Sequence, residues 1–327
     1  MIAATGPAVP GSAPRGRYAP SPTGDLHLGN ASTALLAWLS IRSRGGSFVI
    51  RMEDLDRQRV RRGAAERILD DLAWLGLDWD EGPDVGGPHA PYEQSRRASY
   101  YDEACERLRA AGRAYPCFCS RKDVRTAASA PQEPGDEVRY PGTCRALEPA
   151  EAARRIAEGR PHALRFRVEA SEAPSFDDRV LGARGGVAPG DFVIRRADGT
   201  AAYQLAVVVD DAGMGITDVV RGGDLLASTA RQLLLYDALG LTPPAFGHVP
   251  LLLGPDGVRL SKRHVGASIR ETREAGVAAE RVVGRFAELV GLRETTEPLG
   301  ASALVEGFSL ERLSAFPQGI RLDPAHF

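Results

Sequence analysis

The sequence predicts an α/β protein whose parallel, nucleotide-binding sheet is split by an inserted metal module and followed by a short helical tail. Three observations predict this fold. Strand and helix patterns alternate over residues 15–112, which is typical of a parallel sheet. A cysteine cluster then interrupts the alternation, and an α/β pattern resumes from about residue 203. From about Val277 the pattern is helical.

The alternation before the cysteine cluster is read from hydrophobic periodicity and from helix-capping residues. Ser95 is predicted to cap the last helix, and Cys105 is predicted to lie in the core on that helix. The predicted elements are a strand at Arg17–Ala19, a helix at Asn30–Arg44, a strand at Ser47–Met52, a helix at Gly63–Leu75 and a helix from Ser95 to about Ala111.

The elements after the cluster are shorter. Periodicity cannot decide whether the apolar run Tyr203–Asp210 is a strand or a helix. The other predicted elements are a helix at Glu148–Glu158, strands at Ala163–Val168, Phe176–Val180, Phe192–Arg195 and Ile216–Val220, and a helix at Ala227–Leu239.

These patterns predict five segments. Residues 1–14 carry almost no charge and are expected to be a disordered leader. The nucleotide-binding domain is expected to comprise residues 15–112 and 186–257. Residues 113–185 form the inserted module between its halves, and residues 258–327 form a basic loop and the helical tail.

Composition limits the class of protein. The 327 residues are 43% hydrophobic and 26% charged, which is typical of a soluble globular chain. The net charge of −2 excludes a generally basic nucleic-acid binder, so any such surface must be a local arginine patch. We find no signal peptide and no apolar run of membrane-spanning length, and therefore expect a cytoplasmic protein without a membrane partner.

The stretch GRYAPSPTGDLHLGN, residues 16–30, precedes a predicted helix and favours phosphate binding. Its prolines hold the backbone extended, while Gly24 and Gly29 let it turn and approach a ligand closely. The N–H groups at a helix N-terminus attract phosphate, and the His27 imidazole can donate to it. A Pro/Gly loop with a purely structural histidine is the alternative interpretation.

A second stretch, GPDGVRLSKRHVG, residues 254–266, begins with a strong turn signal. Lys262 is one of only two lysines in the chain, the other being Lys122. An ammonium on a glycine-flanked loop can stabilise pyrophosphate as its charge develops in the transition state. A solvated basic loop is the alternative interpretation.

Together, HLGN and the later RLSKR resemble the HIGH and KMSKS signatures of class I aminoacyl-tRNA synthetases. The longer stretches IRMEDLDRQR, AYQLAVVVDDAGMGITDVVRGGDLL and HVPLLLGPDGVRLSKRHV are similar to the glutamyl branch of that class. The resemblance runs from about residue 17 to about residue 268. In this chain Asn30 replaces the final histidine of HIGH, and Arg259 and Leu260 replace the first two residues of KMSKS.

The resemblance implies a Rossmann-like sheet and two sets of site residues. His27 and Lys262 are implied to be catalytic. Without the resemblance, Glu53 would be interpreted as part of a solvated strand end and Arg221 as part of a loop. The residues implied to bind ATP are His27, Gly29, Asn30 and Lys262. The residues implied to bind glutamate are Arg17, Ala19, Ser21, Glu53, Tyr203 and Arg221.

Three cysteines, Cys117, Cys119 and Cys144, are spaced as for a metal site. Structural zinc prefers four ligands, so one place is open, and Tyr140, Asp136 or water could fill it. The resemblance to the glutamyl-Q tRNA(Asp) synthetase subfamily implies Tyr140, giving one structural Zn²⁺. Buried free cysteines of the core are the alternative interpretation.

Only 65 residues follow Lys262, where a full glutamyl-tRNA synthetase continues into an anticodon-binding region, so we expect no anticodon-binding domain. The resemblance then implies a monomeric ligase that activates L-glutamate with ATP and Mg²⁺ without tRNA. It would transfer the glutamate to queuosine in the anticodon of tRNA(Asp). A short glutamyl-tRNA synthetase that charges a 3′ end, or a non-catalytic tRNA- or glutamate-binding paralogue, remains the alternative.

Overall fold

A computed structural model describes residues 13–127, 139–258, 260, 268–315 and 319–322. The predicted leader lies almost wholly outside these residues, as do Lys262, Arg259 and Asp136. The strands are β1 Arg15–Tyr18, β2 Ser47–Ile50, β3 Ala114–Cys117, β4 Ala163–Phe166, β5 Ser175–Asp178, β6 Gly182–Gly185, β7 Phe192–Arg195, β8 Asp218–Gly222, β9 Ala245–Val249, β10 Leu252–Leu253 and β11 Ile320–Arg321.

The predicted helices are found to within a few residues, whereas α4 and α8 were not predicted from the sequence. The undecided apolar run is helix α6, whose residues from Leu205 to Ala212 are all buried, so the run lacks the polar face that marks a surface helix. The helices are α1 Leu28–Arg42, α2 Ala64–Trp74, α3 Ala98–Ala110, α4 Arg121–Ala127, α5 Pro149–Ala157, α6 Tyr203–Gly213, α7 Leu226–Ala238, α8 Ile269–Glu274 and α9 Ala279–Leu289.

One capping prediction is wrong. Helix α3 begins at Ala98, and Arg97 occupies its N-cap position. Ser95 instead gives its backbone N–H and its hydroxyl to the two carboxylate oxygens of Asp54, at 2.7 and 2.6 Å. An N-cap serine accepts an N–H of the first helical turn, whereas the Ser95 hydroxyl donates a charge-assisted hydrogen bond to Asp54, so this serine is used in a loop contact. Cys105 lies buried in the core on α3, as predicted.

A parallel sheet in the order β2-β1-β8-β9 forms the centre of the protein. Alternate residues of its strands enter two hydrophobic cores. Phe48 and Ile50 pack with α1, α2 and α9, whereas Val49 packs on the opposite face with α3, α6 and α7. The sheet is therefore covered by helices on both faces, as in other doubly wound α/β proteins.

An antiparallel sheet in the order β3-β4-β7 and the hairpin β5-β6 lie between the two halves of the parallel sheet in sequence. Strand β7 pairs with β4, so this antiparallel sheet continues past residue 185, the predicted end of the inserted module. The tail contains α8 and α9, and the predicted helix near its end is a 3-10 helix, Leu310–Ala315. No helix in the described part is long and apolar enough to cross a membrane.

Candidate active site

A cleft of about 490 Å³ opens at the carboxyl ends of β1 and β8. In the sheet, β1 and β8 are neighbours; β1 leads to β2 on one side of this pair, whereas β8 leads to β9 on the other side. Such a point of reversal leaves a crevice between the strand ends, and open α/β sheets bind their ligands there. The predicted site residues that line the cleft are Arg17, Ala19, Ser21, His27, Gly29, Asn30, Glu53, Tyr203 and Arg221.

The first turn of α1 forms one end of the cleft. His27 occupies the N-cap position in extended conformation, and its Nδ1 accepts the N–H of Asn30 at 3.2 Å. Nδ1 is then the unprotonated nitrogen of a neutral imidazole, and Nε2 carries the proton as a donor. A Cβ atom on Gly29 would lie 3.3 Å from the His27 ring. A side chain there would crowd the histidine, which explains the glycine.

Lys262 lies outside the described residues, and its described neighbours in sequence lie at the cleft. Leu260 is buried, lines the cleft and donates its N–H to the Leu252 carbonyl at 3.0 Å. Ser268 pairs with His27 in a short antiparallel bridge and caps α8. Of the described residues nearest to Lys262 in sequence, Leu260 therefore lies at the cleft and Ser268 lies beside His27.

Glu53 and Arg17 lie at the other end of the cleft, and they are held by a buried ionic network. Arg51 donates to Asp211 at 2.6 Å and to Glu53 at 3.2 Å. Arg17 Nε is 3.4 Å from the same Asp211 oxygen. Asp211 therefore binds two arginines. Glu53 is not the solvated strand end that its sequence context suggests, because its side chain is 11% exposed.

Asp210, the neighbour of Asp211 on α6, completes this network. It is fully buried and accepts from Arg97 Nε at 2.7 Å, Gln94 Nε2 at 2.8 Å and the Tyr101 hydroxyl at 2.9 Å. Gln94 lies in a 3-10 turn, Gln94–Arg96, that leads into α3, and Tyr101 lies on α3. These partners hold α6 against α3, with Tyr203 at the α6 N-terminus in the cleft.

Arg221 differs from these arginines because its partners are neutral. It lies within β8, not in a loop, and is 3% exposed. It donates from Nε to His248 Nε2 at 3.0 Å, from Nη1 to Gln232 Oε1 at 2.8 Å and from Nη2 to Thr229 Oγ1 at 2.8 Å. Within the described chain it forms no ion pair. A buried guanidinium without a carboxylate partner can pair with a bound anion, because burial of an unpaired charge is costly.

Burial and charge shift the protonation of the site residues in different directions. Burial raises the pKa of Glu53, although the nearby charge of Arg51 opposes the shift. Burial would also raise the pKa of Asp211, but the charges of Arg51 and Arg17 outweigh it and hold this pKa below its usual value. Burial lowers the pKa of Arg221. A bound ammonium group would therefore stabilise the ionised form of Glu53, which burial disfavours.

Sequence reasoning missed the residues that hold the predicted ones in place. The signal for two of them was available, since Asp210 and Asp211 are adjacent acids at the end of an apolar run. No local signal marked the others as site residues. The missed residues are Arg51, Gln94, Arg97, Tyr101, Asp178, Asp210, Asp211, Thr229, Gln232 and His248.

The cysteines converge as predicted. The sulfurs of Cys117, Cys119 and Cys144 lie within 4.8 Å of one another, and those of Cys119 and Cys144 are 3.6 Å apart. Two thiolates on one tetrahedral zinc ion would be roughly 3.8 Å apart, from a Zn–S distance of about 2.3 Å. The three residues can therefore hold zinc.

The Tyr140 hydroxyl lies beside this triad. It is 3.4 Å from Cys117 Sγ and 3.7 Å from Cys119 Sγ, and it accepts the Cys144 N–H at 2.7 Å. Arg165 donates to Cys117 Sγ at 3.2 Å and stacks on the Tyr140 ring. A cation at this position offsets part of the negative charge of a thiolate set. The arrangement is compatible with Tyr140 as a fourth ligand.

The comparisons with known proteins agree with this architecture. The family model for the catalytic domain of class I tRNA synthetases (E and Q) matches residues 14–313. The chain belongs to this family and is a ligase of the class I synthetase type.

Within the family, the chain is similar to glutamyl-Q tRNA(Asp) synthetases, which confirms the resemblance seen in the motifs. It is 55% identical to that of Symbiobacterium thermophilum over 92% of this chain and 94% of the relative. It is 54% identical to that of Nitratidesulfovibrio vulgaris, over 85% of this chain and 86% of the relative. A glutamate tRNA ligase from Elizabethkingia meningosepticum, solved in complex with its amino acid, has a TM-score of 0.83 and 31% identity over 96% of this chain and 68% of that one.

Proposed function

We propose that this ligase activates L-glutamate with ATP, without tRNA, and that it acts as a monomer in the cytoplasm. The observation that carries the proposal is the buried Arg221, which lacks a carboxylate partner in the described chain and lies in the same cleft as Glu53. An amino acid with two carboxylates and one ammonium complements these charges. The printed names of the most similar relatives support glutamate as this amino acid.

Each proposed glutamate contact has a chemical reason. The carboxylate of Glu53 would pair with the α-ammonium, which would restore the ionised form that burial disfavours. Arg17 and Arg221 would bind the two carboxylates, since guanidinium groups bind carboxylates with paired hydrogen bonds. The Tyr203 hydroxyl would orient the substrate, while Ala19 and Ser21 would line the pocket that binds it.

The ATP phosphates would lie at the N-terminus of α1, with His27 donating from Nε2 and with Gly29 and Asn30 allowing close approach. An α-carboxylate oxygen of glutamate would attack the α-phosphorus, and the bond from this phosphorus to the bridging oxygen would break as pyrophosphate leaves. Mg²⁺ bound with ATP would offset part of the phosphate charge. Lys262 would stabilise the charge that develops on the leaving pyrophosphate. The product is glutamyl-adenylate.

We further propose that the acceptor is queuosine in the anticodon of tRNA(Asp). A hydroxyl of its cyclopentenediol would attack the adenylate carbonyl, and AMP would leave. The vicinal hydroxyls of this ring can replace those of a terminal ribose as the nucleophile. An anticodon loop suits such a cleft, since proteins read RNA best where its bases are unstacked.

The proposed resident metal is one structural Zn²⁺ held by Cys117, Cys119, Cys144 and Tyr140. The distances among the sulfurs and the hydroxyl support this set. When bound, the ion would link the end of β3 to the turn that contains Cys144, and so stabilise the inserted module.

The amino acid is identified by ATP–pyrophosphate exchange with each of the twenty amino acids in the absence of tRNA. We expect exchange with glutamate. Exchange that depends on another amino acid, or no exchange with any amino acid, would refute the proposal. A protein that shows no exchange but binds glutamate or tRNA would be the non-catalytic paralogue.

The acceptor is located with radiolabelled glutamate, ATP and tRNA(Asp) with or without queuosine, followed by nuclease digestion. We expect label on the anticodon fragment and only when queuosine is present. Label at the 3′ end, or equal labelling of unmodified tRNA, would identify a short glutamyl-tRNA synthetase instead.

A further inference from the structure

His248 is the cross-strand neighbour of Arg221. The two residues are register partners on the parallel strands β9 and β8, so their side chains leave the same face of the sheet. His248 is completely buried, and its Nε2 accepts the Nε–H of Arg221 at 3.0 Å. This contact requires a lone pair on Nε2, and therefore one particular neutral tautomer of the imidazole.

Asp178 sets that tautomer from the other side of the ring. Its Oδ2 is 2.5 Å from His248 Nδ1, which is the nitrogen that must carry the proton. Its Oδ1 is already occupied by the backbone N–H groups of Val180, Leu181 and His248, at 3.0, 2.9 and 3.1 Å. The carboxylate is thus fixed in one orientation, with Oδ2 as the acceptor toward the histidine.

Asp178 reaches this position from the inserted segment. It is the last residue of β5, in the hairpin β5-β6, and the next residue, Arg179, donates its N–H to the Phe246 carbonyl on β9 at 2.9 Å. Its carboxylate lies 70 residues from His248 in sequence. The hairpin therefore contacts the strand whose histidine holds Arg221.

We propose that Asp178 and His248 are positioning residues that fix the guanidinium of Arg221 for a substrate carboxylate while leaving its charge uncompensated. The inference rests on the proposed function, in which Arg221 binds glutamate. An acid placed directly on Arg221 would neutralise it and compete with the substrate. A neutral imidazole orients the guanidinium and leaves its charge available, and Asp178 keeps the imidazole in the accepting tautomer.

The sharpest test is Asp178→Asn, which hardly changes the size of the side chain. The three backbone N–H groups require the amide oxygen at the Oδ1 position, so the amide NH₂ must face His248 Nδ1. The ring proton then moves to Nε2, where it opposes the Nε–H of Arg221. We expect the KM for glutamate in ATP–pyrophosphate exchange to rise by roughly 10- to 100-fold, the scale of one lost charge-assisted hydrogen bond. The KM for ATP should not change.

A pair of substitutions at His248 gives a second, independent readout. His248→Gln keeps an oxygen that can accept from Arg221, whereas His248→Leu removes the acceptor. We expect the glutamine variant to lie closer to the parent protein in glutamate KM than the leucine variant does. The matched control is Asp177→Asn, in the same strand, because this carboxylate is exposed. The ¹⁵N shifts of the His248 ring in the parent protein should show protonated Nδ1.

The outcomes separate this inference from the proposed function. If Asp178→Asn and His248→Leu had the same KM for glutamate as the parent protein, the positioning role would be overturned. An equal rise in the KM values for glutamate and for ATP would also overturn it, because it indicates general damage to the fold. Protonated Nε2 in the parent protein would also overturn it. A parent protein that shows no glutamate-dependent exchange would refute the proposed function itself, whatever the tautomer of His248.

Discussion

Arg51 and Asp211 form a completely buried ion pair, with Nη1 of the arginine 2.6 Å from Oδ1 of the aspartate. Neither residue is among those predicted to touch a substrate, but Asp211 also holds Arg17, and Arg51 also holds Glu53. The pair therefore connects two of the proposed substrate contacts to the interior.

The first prediction concerns this pair. Asp211→Asn would leave Arg51 buried without its closest counter-charge, and removal of one partner of a buried pair costs about 3–5 kcal/mol. We expect a loss of this order in the free energy of unfolding, measured by urea denaturation, together with a raised glutamate KM. Asp102→Asn on the exposed face of α3 is the control. Unchanged stability of Asp211→Asn would contradict the importance of the network.

The second prediction concerns Asp71 on α2. Its side chain is fully buried, neither carboxylate oxygen has a hydrogen-bond partner among the described residues, and burial raises its pKa to about 6. Between pH 4 and pH 6 the folded protein thus keeps a proton that the unfolded chain has lost, so stability must fall as the pH rises through this range. Above pH 6 the raised pKa lowers the free energy of unfolding by roughly 2–3 kcal/mol.

Asp71→Asn should remove this dependence. We expect it to raise the melting temperature at pH 8 and to have little effect near pH 4, where the parent carboxyl is protonated. The exposed neighbour Asp70→Asn should change neither value. Thermal unfolding at both pH values checks the prediction, and an equal effect of Asp71→Asn at pH 4 and pH 8 would show that the charge is not the cause.

The third prediction concerns the metal. The parent protein should contain one zinc per chain by elemental analysis, and Cys119→Ser should lose it and loosen the inserted module, because structural zinc supplies roughly 10–16 kcal/mol in small zinc peptides. Cys105→Ala should keep the zinc, since Cys105 lies in a separate core. A parent protein without zinc would refute the site. If Tyr140→Phe retained all of its zinc, only the assignment of Tyr140 as the fourth ligand would be refuted.

The fourth prediction uses the two lysines of the chain. Lys262→Ala should slow glutamate-dependent exchange by roughly 10²–10³, the scale for loss of one group that stabilises transition-state charge. Lys122→Ala is the natural control, because its side chain is exposed on α4. Exchange at the parent rate in Lys262→Ala would show that this loop does not act on pyrophosphate.

The sequence alone determined most of the local elements and the residues of the short motifs. The prolines and glycines before His27 predict the turn, the apolar spacing predicts α1 and α2, and the cysteine spacing predicts a metal site, because each signal depends on residues close together in the chain. Resemblance added the substrate contacts, among which Glu53 and Arg221 have sequence contexts that suggest solvated positions.

Only the tertiary structure decided how these residues are held. Arg51 and Asp211 are 160 residues apart, and His248 and Asp178 are 70 apart. Their contacts depend on the strand order β2-β1-β8-β9, on the register of β8 with β9 and on the position of the β5-β6 hairpin. Periodicity reports the exposure of each segment but not which segments become neighbours, so the buried charges that orient Arg17 and Arg221 could be identified only once the chain was folded.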